Sequence, residues 1–276
     1  LNILYCGNDK MADGLLISII SLLKHTKEPL HIFVLTAAIK TTQLTYHAID
    51  DATIQFLNER VQLERPDSTV TKVDVTKEFM DNPPTANMNT MFTPYCMIRL
   101  YADLIPSLPD KLLYLDTDII CHQDFHSFYY QEMGQTEVMG VLDRYGKWLF
   151  HRRADSLDYM NSGVLLLNLA QIRQTRLFEK CRQMCATKWL FMPDQSALNK
   201  LAKSKKIVSK RFNEQKRLRK NTVFQHFTTS FRFWPWIHTQ KVKPWQVDQM
   251  HEVLNLHAYD DILAEYQELQ PKLRRL

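Results

Sequence analysis

With 276 residues, 45% of them apolar and 24% charged, the chain can bury a sizeable core as one large domain or two small ones. No run reaches the apolar length of a membrane span, and five scattered cysteines (Cys6, Cys96, Cys121, Cys181, Cys185) do not read as a disulfide framework but as thiols of a reducing, cytoplasmic compartment. The net charge of +5 is concentrated between Lys200 and Lys220 and again at Lys272, Arg274 and Arg275. No nucleic-acid motif accompanies it, which argues against a nucleic-acid partner and leaves a solvated face, attraction to a sugar nucleotide, or peripheral contact with the inner face of a membrane.

Leu1–Cys6 is strand-like and Gly7-Asn8-Asp9 follows as a turn. Met11–Leu23 has apolar residues at helical spacing. Leu15–Leu23 lies behind a strand and a polar turn, so it is not laid out as a signal peptide. His31–Leu35 reads as a second strand, Tyr46–Glu64 as an amphipathic helix stopped by Pro66, and Thr69–Val75 as a third strand. Strands separated by helices of this length predict parallel βαβ units. After a Pro- and Asn-rich loop (Asn82–Asn89), Thr93–Asp103 is expected to be helical, with the charged head of Arg99 set in an apolar segment.

Leu112-Leu113-Tyr114-Leu115 then runs straight into Asp116-Thr117-Asp118, followed by Ile119-Ile120. A short apolar run of this kind predicts a buried strand of a parallel sheet. Ligands of open α/β sheets bind outside the carboxyl ends of the strands. Residues i and i+2 share a face, so the two carboxylates can converge on one hard cation such as Mg²⁺ or Mn²⁺. An isolated Asp-x-Asp is also a common polar turn.

Further along, Val138–Leu142 predicts a strand ending at Asp143, and Lys147–Asp158 a charged, aromatic loop. Asn161-Ser162-Gly163 opens into the apolar run Val164–Leu167, and Leu169–Lys188 reads as one helix on which Cys181 and Cys185 share a face as packing residues. Pro193-Asp194-Gln195 opens another helix, where Asp194 suits the dipole of the first turn. Thr222–Phe227, containing His226, is strand-like. Phe231–Trp245 is rich in aromatic residues, a packed lid or a sugar-stacking surface.

These segments, in this order, resemble glycosyltransferase family 8, which includes bacterial lipopolysaccharide galactosyl- and glucosyltransferases and glycogenin. The resemblance implies a GT-A fold: an α/β, Rossmann-like mixed sheet flanked by helices. Residues 1–245 would be the catalytic domain and 246–276 a C-terminal helical extension, basic at its end. It implies transfer of a hexose, glucose or galactose, from a UDP-sugar to a saccharide or glycoconjugate acceptor with retention of configuration, dependent on Mn²⁺ with Mg²⁺ as the alternative ion. Asp116, Asp118 and His226 match the metal ligands. Cys6, Gly7 and Asn8 match the loop around the uridine, and Thr117 matches a donor-side position within the Asp-x-Asp. Arg99, Asn161, Ser162, Asp194 and Gln195 match positions that contact the donor sugar, with Asp194 or Gln195 placed to assist on its far face. Asp143 falls on the acceptor side. The family's His-x-x-Gly-x-x-Lys-Pro-Trp motif is split here: Thr229 replaces the Gly, and Lys243-Pro244-Trp245 follows an aromatic insertion, so that either Lys243 or Arg232 meets the diphosphate.

Two other readings compete. A haloacid-dehalogenase-type phosphatase also ends a strand in Asp-x-Asp, but the hydroxyl residue it needs two places after the second Asp is Ile120. A non-catalytic sugar-nucleotide-binding or membrane-peripheral protein is the other, since a fold does not by itself imply activity.

Overall fold

The computed structural model describes residues 1–42, 44–90, 93–143, 158–228, 230–232 and 238–275, with backbone alone at 230–232 and 238–240. Its strands are β1 (Asn2–Cys6), β2 (His31–Thr36), β3 (Ile39–Lys40), β4 (Thr45–Tyr46), β5 (Thr69–Asp74), β6 (Lys111–Leu115), β7 (Ile119–Cys121), β8 (Val138–Leu142), β9 (Met160–Asn168), β10 (Lys205–Ile207), β11 (Phe224–His226), β12 (Ser230–Arg232) and β13 (His238–Gln240). Its helices are α1 (Ala12–His25), α2 (Asp51–Glu64), α3 (Thr76–Asp81), α4 (His126–Tyr129), α5 (Leu169–Thr175), α6 (Leu177–Thr187), α7 (Pro193–Leu201), α8 (Val247–Glu252) and α9 (Asp260–Leu273). The expected loop at Lys147–Asp158 lies almost wholly outside the described residues. So do Thr229, the aromatic residues Phe233, Trp234 and Trp236, and the side chains of Phe231 and Arg232.

Among the described residues the central sheet has seven strands in the order β10-β8-β9-β6-β1-β2-β5. The pairs β1–β2, β2–β5, β1–β6 and β10–β8 are parallel, while β9 runs antiparallel between β6 and β8. The inner strands β1, β6 and β8 and the Val164–Leu167 part of β9 are mainly apolar because both faces are covered, whereas the edge strands β5 and β10 carry polar and charged residues. Period-two alternation sends Ile3, Tyr5, Leu113, Leu115, Val164 and Leu166 into one core. It sends Leu4, Cys6, Leu112, Tyr114, Leu165 and Leu167 into the other. The first core is closed by α1, α2 and α9, the second by the segment Pro94–Leu104 and by α5, α6 and α7. All five cysteines are free thiols, and Cys181 and Cys185 are buried in the second core.

Three local expectations are corrected, and one strand is added. The helix expected from Tyr46 begins at Asp51, where the Asp50 side chain caps it by accepting from Thr53 N at 2.6 Å; Thr45–Tyr46 instead pairs with Ile39–Lys40. The segment carrying Arg99 is a 3₁₀ helix (Pro94–Leu104), in which Arg99 Nε takes the carbonyl of Cys96 three residues back at 3.1 Å. The single helix expected over Leu169–Lys188 is broken into α5 and α6 at Arg176, which adopts the left-handed conformation (φ 55°) and pairs with Glu179. The lysine-rich stretch contains an edge strand, β10; lysines on an edge discourage further pairing.

The C-terminal residues complete the first core. Ile262, Leu263, Tyr266 and Leu273 of α9 are buried there with α1, and Tyr266 donates to Asp13 Oδ1 at 2.9 Å. No helix among the described residues is long and apolar enough to cross a membrane.

Candidate active site

The sheet delivers two carboxylates to its carboxyl edge. Past the end of β6, Asp116 extends the ladder by donating its backbone N–H to Gly163 O at 2.8 Å. The chain then reverses into β7, with Ile119 N donating to Asp116 O at 3.3 Å. β11 pairs antiparallel with β7, placing His226 opposite Ile119, and Phe227 N donates to Asp118 O at 3.1 Å. This pairing brings a histidine distant in sequence to the two aspartates. His226 Nε2 lies 3.3 Å from Asp118 Oδ1 and 3.7 Å from Asp116 Oδ2.

The three ligand atoms lie within 4.8 Å of one another. Two carboxylates and an imidazole are a donor set that Mn²⁺ accepts. Gly163 makes room for the group: a Cβ there would sit 2.2 Å from His226 Cε1 and 2.9 Å from Asp116 Oδ2. The residues therefore fit a divalent cation. Gly14 does the same service behind the turn, where a Cβ would lie 2.5 Å from Thr117 O and 2.9 Å from the Trp245 ring. Another His and Asp group among the described residues, His251, His257 and Asp260, is on the surface, with its two rings stacked at 4.6 Å.

The electrostatics of the pair favour ionised Asp118. Burial works against its charge, but the Lys243 ammonium and the His226 ring outweigh burial and hold it below the usual carboxylate range. Lys243 Nζ lies 2.5 Å from Asp118 Oδ2 and donates to Phe227 O at 2.8 Å. Burial also works against charge on His226, and Asp118 followed by Asp116 raises its pKa above the ordinary imidazole value.

Arg99, 3% exposed, ties the second half of the site together. It lies over the Tyr114 ring at 4.0 Å, donates to Asp116 Oδ1 at 3.1 Å and to Ser162 O, and reaches Asp194 Oδ2 at 3.3 Å. Tyr114 also donates to Asp116 Oδ1, at 2.5 Å. Asp194 is 4% exposed in the first turn of α7, and its Oδ2 has no hydrogen bond in good geometry. Burial pushes its pKa up, and Arg99 partly offsets that. Gln195 is pinned at both ends: Oε1 accepts from Ser162 N at 2.9 Å and Oγ at 3.3 Å, and Nε2 donates to Asp143 Oδ2 at 2.8 Å.

These side chains line a cleft of about 320 Å³. Arg99, Asp116, Asp118, Asn161, Ser162, Asp194, Gln195, His226 and Lys243 all face it. Asp143, expected on the acceptor side, is 5% exposed and lies beneath the cleft, bonded to Asn161 and Gln195. Cys6, Gly7 and Asn8 lie at the carboxyl end of β1, beside β6, and do not line the cleft; Asn8 caps the turn Asp9–Met11. Thr117 is buried and turned onto Met11 Sδ at 3.4 Å. Sequence reasoning gave no role to Tyr114, Thr228 or Asn213. Asn213 follows the Lys210–Phe212 turn in the basic stretch, where no motif marks it.

A second, more open groove of about 430 Å³ lies between Trp245–Gln249 and α9; it is lined by Gln246, Asp248, Glu252, Tyr266 and Gln270, away from the converging carboxylates.

The family model for glycosyl transferase family 8 matches residues 2–249. No curated protein sequence matches the chain. Among solved structures, the galactosyltransferase LgtC in complex with donor and acceptor sugar analogs aligns with a TM-score of 0.67 at 18% identity, over 96% of this chain and 96% of that one. The glycosyltransferase GlyE of Streptococcus pneumoniae TIGR4 aligns at 0.61 and 16% identity, over 96% of this chain and 63% of that one. Mouse xyloside xylosyltransferase 1 gives 0.59 and 13%, over 82% and 97%. At such identities the likeness speaks to the fold, which is the GT-A fold.

Proposed function

The chain belongs to glycosyltransferase family 8, and from that premise we propose that it moves glucose or galactose from a UDP-sugar to a saccharide or glycoconjugate acceptor, with retention and with Mn²⁺. The observation that carries this reading is the convergence of Asp116, Asp118 and His226 on one cleft with Arg99, Asp194 and Lys243. Asp116, Asp118 and His226 would hold the cation, which supplies a Lewis acid against the charge that grows on the leaving diphosphate. Lys243 adds a second positive charge at the same edge, since its ammonium already faces Asp118. Mg²⁺ is the second choice of ion, because the donor set is mostly carboxylate oxygen.

On the sugar side, Asp194 Oδ2 is a buried acceptor lacking a well-placed donor, and a donor-sugar hydroxyl would satisfy it. Arg99 orients both Asp194 and Asp116, so sugar and diphosphate are positioned against one rigid group. Gln195 Oε1 already accepts from Ser162, which makes it a poor nucleophile. That favours a front-side displacement, with Gln195 shaping the cleft, over a covalent glycosyl intermediate on the amide. Residues 1–245 are the proposed catalytic domain, with 246–276 an extension of it.

The phosphatase alternative loses its chemistry: position 120 is a buried Ile paired with Gln225 inside the β7–β11 ladder. A non-catalytic binding protein remains distinguishable by experiment. A donor panel of UDP-glucose, UDP-galactose and their N-acetyl forms with Mn²⁺, scored by UDP release, tests the reading; binding of UDP without any turnover would favour the non-catalytic alternative.

Two expected outcomes follow from these roles. UDP at a hundredfold excess over its Kd stabilises by about 2.7 kcal/mol, and this shift in Tm should appear with Mn²⁺ and shrink with a chelator. Equal shifts in both would remove the cation from the site. Asp194→Asn keeps the size of the side chain but removes its charge beside Arg99. It is expected to lower kcat about 10²-fold, in the range of removing one transition-state contact, while the Kd for UDP stays near wild type. Loss of UDP affinity in parallel would place Asp194 on the nucleotide instead.

A further inference from the structure

The following inference rests on Asp116, Asp118 and His226 as a cation site and concerns what sets the state of the histidine. Asp143 Oδ2 accepts from Asn161 Nδ2 at 3.0 Å as well as from Gln195. The orientation of the Asn161 amide is dictated from its other end. Its Oδ1 accepts from the backbone N–H of Gly163 at 3.0 Å, and a backbone N–H can only donate. Asn161 Nδ2 must therefore face Asp143. The same Oδ1 accepts from Asn213 Nδ2 at 2.8 Å. This turns Asn213 Oδ1 toward His226 Nδ1, 3.2 Å away. An amide oxygen only accepts, so His226 carries a proton on Nδ1, and Nε2 is the nitrogen that faces Asp118 and Asp116.

Every link is at least nine-tenths buried: Asp143 is 5%, Asn161 8%, Asn213 1% and His226 7% exposed. Reversing either amide would set donor against donor or acceptor against acceptor, with little solvent access to relieve the mismatch. The direction of the chain is thus fixed from the carboxylate outward.

We propose that Asp143, Asn161 and Asn213 form a directional relay that holds His226 in the Nδ1–H tautomer and presents Nε2 as a ligand to a divalent cation shared with Asp116 and Asp118. Asp143 and Asn213 touch no cation or substrate in this scheme; they are positioning residues. Metal-bound histidines in general depend on such an acceptor at the far ring nitrogen for orientation and basicity. Asp143 also holds Gln195, so one carboxylate sets both the cation side and the sugar side of the cleft.

The test reads Mn²⁺ affinity from the electron paramagnetic resonance of free Mn²⁺, with no sugar nucleotide or acceptor present. Asn213→Leu and Asp143→Leu are each expected to weaken Mn²⁺ binding about 10- to 100-fold. The double variant should bind no more weakly than Asn213→Leu alone, because one cut already breaks the chain. Asn213→Asp keeps an acceptor for Nδ1–H and should recover most of the affinity, an outcome that loss of packing alone does not give. The ¹⁵N shifts of His226 in the metal-free wild type, at alkaline pH where the ring is neutral, should report Nδ1–H. An Asn213→Leu protein that binds Mn²⁺ as tightly as wild type overturns the relay, and so does an Nε2–H ring in the wild type. Circular dichroism checks folding, and the wild-type tautomer decides the matter even where a variant does not fold. Should wild type bind no Mn²⁺, the cation reading fails by itself; the tautomer then still judges the relay.

Discussion

Asp118→Asn is expected to lower kcat/KM for sugar transfer about 10³-fold, or about 4 kcal/mol of transition-state stabilisation, and to weaken Mn²⁺ binding with it. Asp118 is the group on which His226 and the Lys243 ammonium converge, with His226 Nε2 at 3.3 Å from one oxygen and Lys243 Nζ at 2.5 Å from the other. Its ionised form is favoured despite burial, because Lys243 and His226 together overcome the desolvation. Asparagine keeps the shape and one acceptor oxygen but removes the negative charge. A cation would then meet one carboxylate instead of two, and a Lys243 ammonium no longer neutralised. The fold should suffer much less than the activity. Lys243 is 27% exposed, so solvent screens much of what the lost ion pair contributes to stability. Mn²⁺ titration and melting on the same preparation separate the effects. A variant with activity and Mn²⁺ affinity both within tenfold of wild type would mean that Asp118 is not a ligand.

The layered α/β architecture was legible because its signal is local. Runs such as Leu112–Leu115 and Val164–Leu167 are apolar at every position, which a strand covered on both faces requires. The breaks were less legible. Nothing at Arg176 announces a left-handed residue, because neither Gly nor Pro occupies the position, and the apolar period runs on across it. The short strand at Lys205 is invisible for a different reason: its pairing partner, β8, decides it, while two of its own three residues are charged. The Pro- and Asn-rich loop at Asn82–Asn89 read as an irregular connection, yet Asn87 is fully buried, with its amide bonded to Cys185 O, Lys188 O and Leu190 N.

The candidate site divides in the same way. Asp116 and Asp118 stand in a strand-end motif whose spacing can be read, whereas Asn161 and Asp194 were singled out through the resemblance. His226 was legible through the resemblance, although what brings it to the aspartates is the register of β11 on β7. Asn213 had no such help, since a single amide in a lysine-rich stretch carries no periodicity and no partner nearby in sequence. Its meaning comes from contacts with Asn161 and His226, 52 and 13 residues away. Asp143 was placed on the acceptor side through the resemblance alone, and nothing in its own stretch of sequence announces the bonds that its carboxylate makes to the amides of Asn161 and Gln195.

Gly163→Ala is expected to remove most of the activity while changing a cleft residue that has no side chain to offer a cation or a substrate. The reason is space. Gly163 lies within β9 with no positive φ, so the backbone there suits any residue and the glycine is not required for conformation. A Cβ would stand 2.2 Å from His226 Cε1, 2.7 Å from His226 Nδ1 and 2.9 Å from Asp116 Oδ2. His226 cannot simply swing aside, because Asn213 holds Nδ1 and the β7–β11 ladder holds its backbone. Overpacking of this kind costs about 1–3 kcal/mol, which at roughly 2–4 °C per kcal/mol for a chain of this size predicts a measurable but survivable fall in Tm. The functional loss should be far larger, approaching that of Asp118→Asn, because the displaced atoms are two of the three proposed ligands. Leucines on the same strand give the contrast: Leu166→Ala, deep in the first core, should cost about 2–5 kcal/mol of stability but leave Mn²⁺ affinity intact where the protein remains folded. The decisive pair of measurements is Mn²⁺ affinity against Tm for the two variants. A Gly163→Ala protein that binds Mn²⁺ as wild type does would show that His226 and Asp116 do not hold the cation together in the cleft.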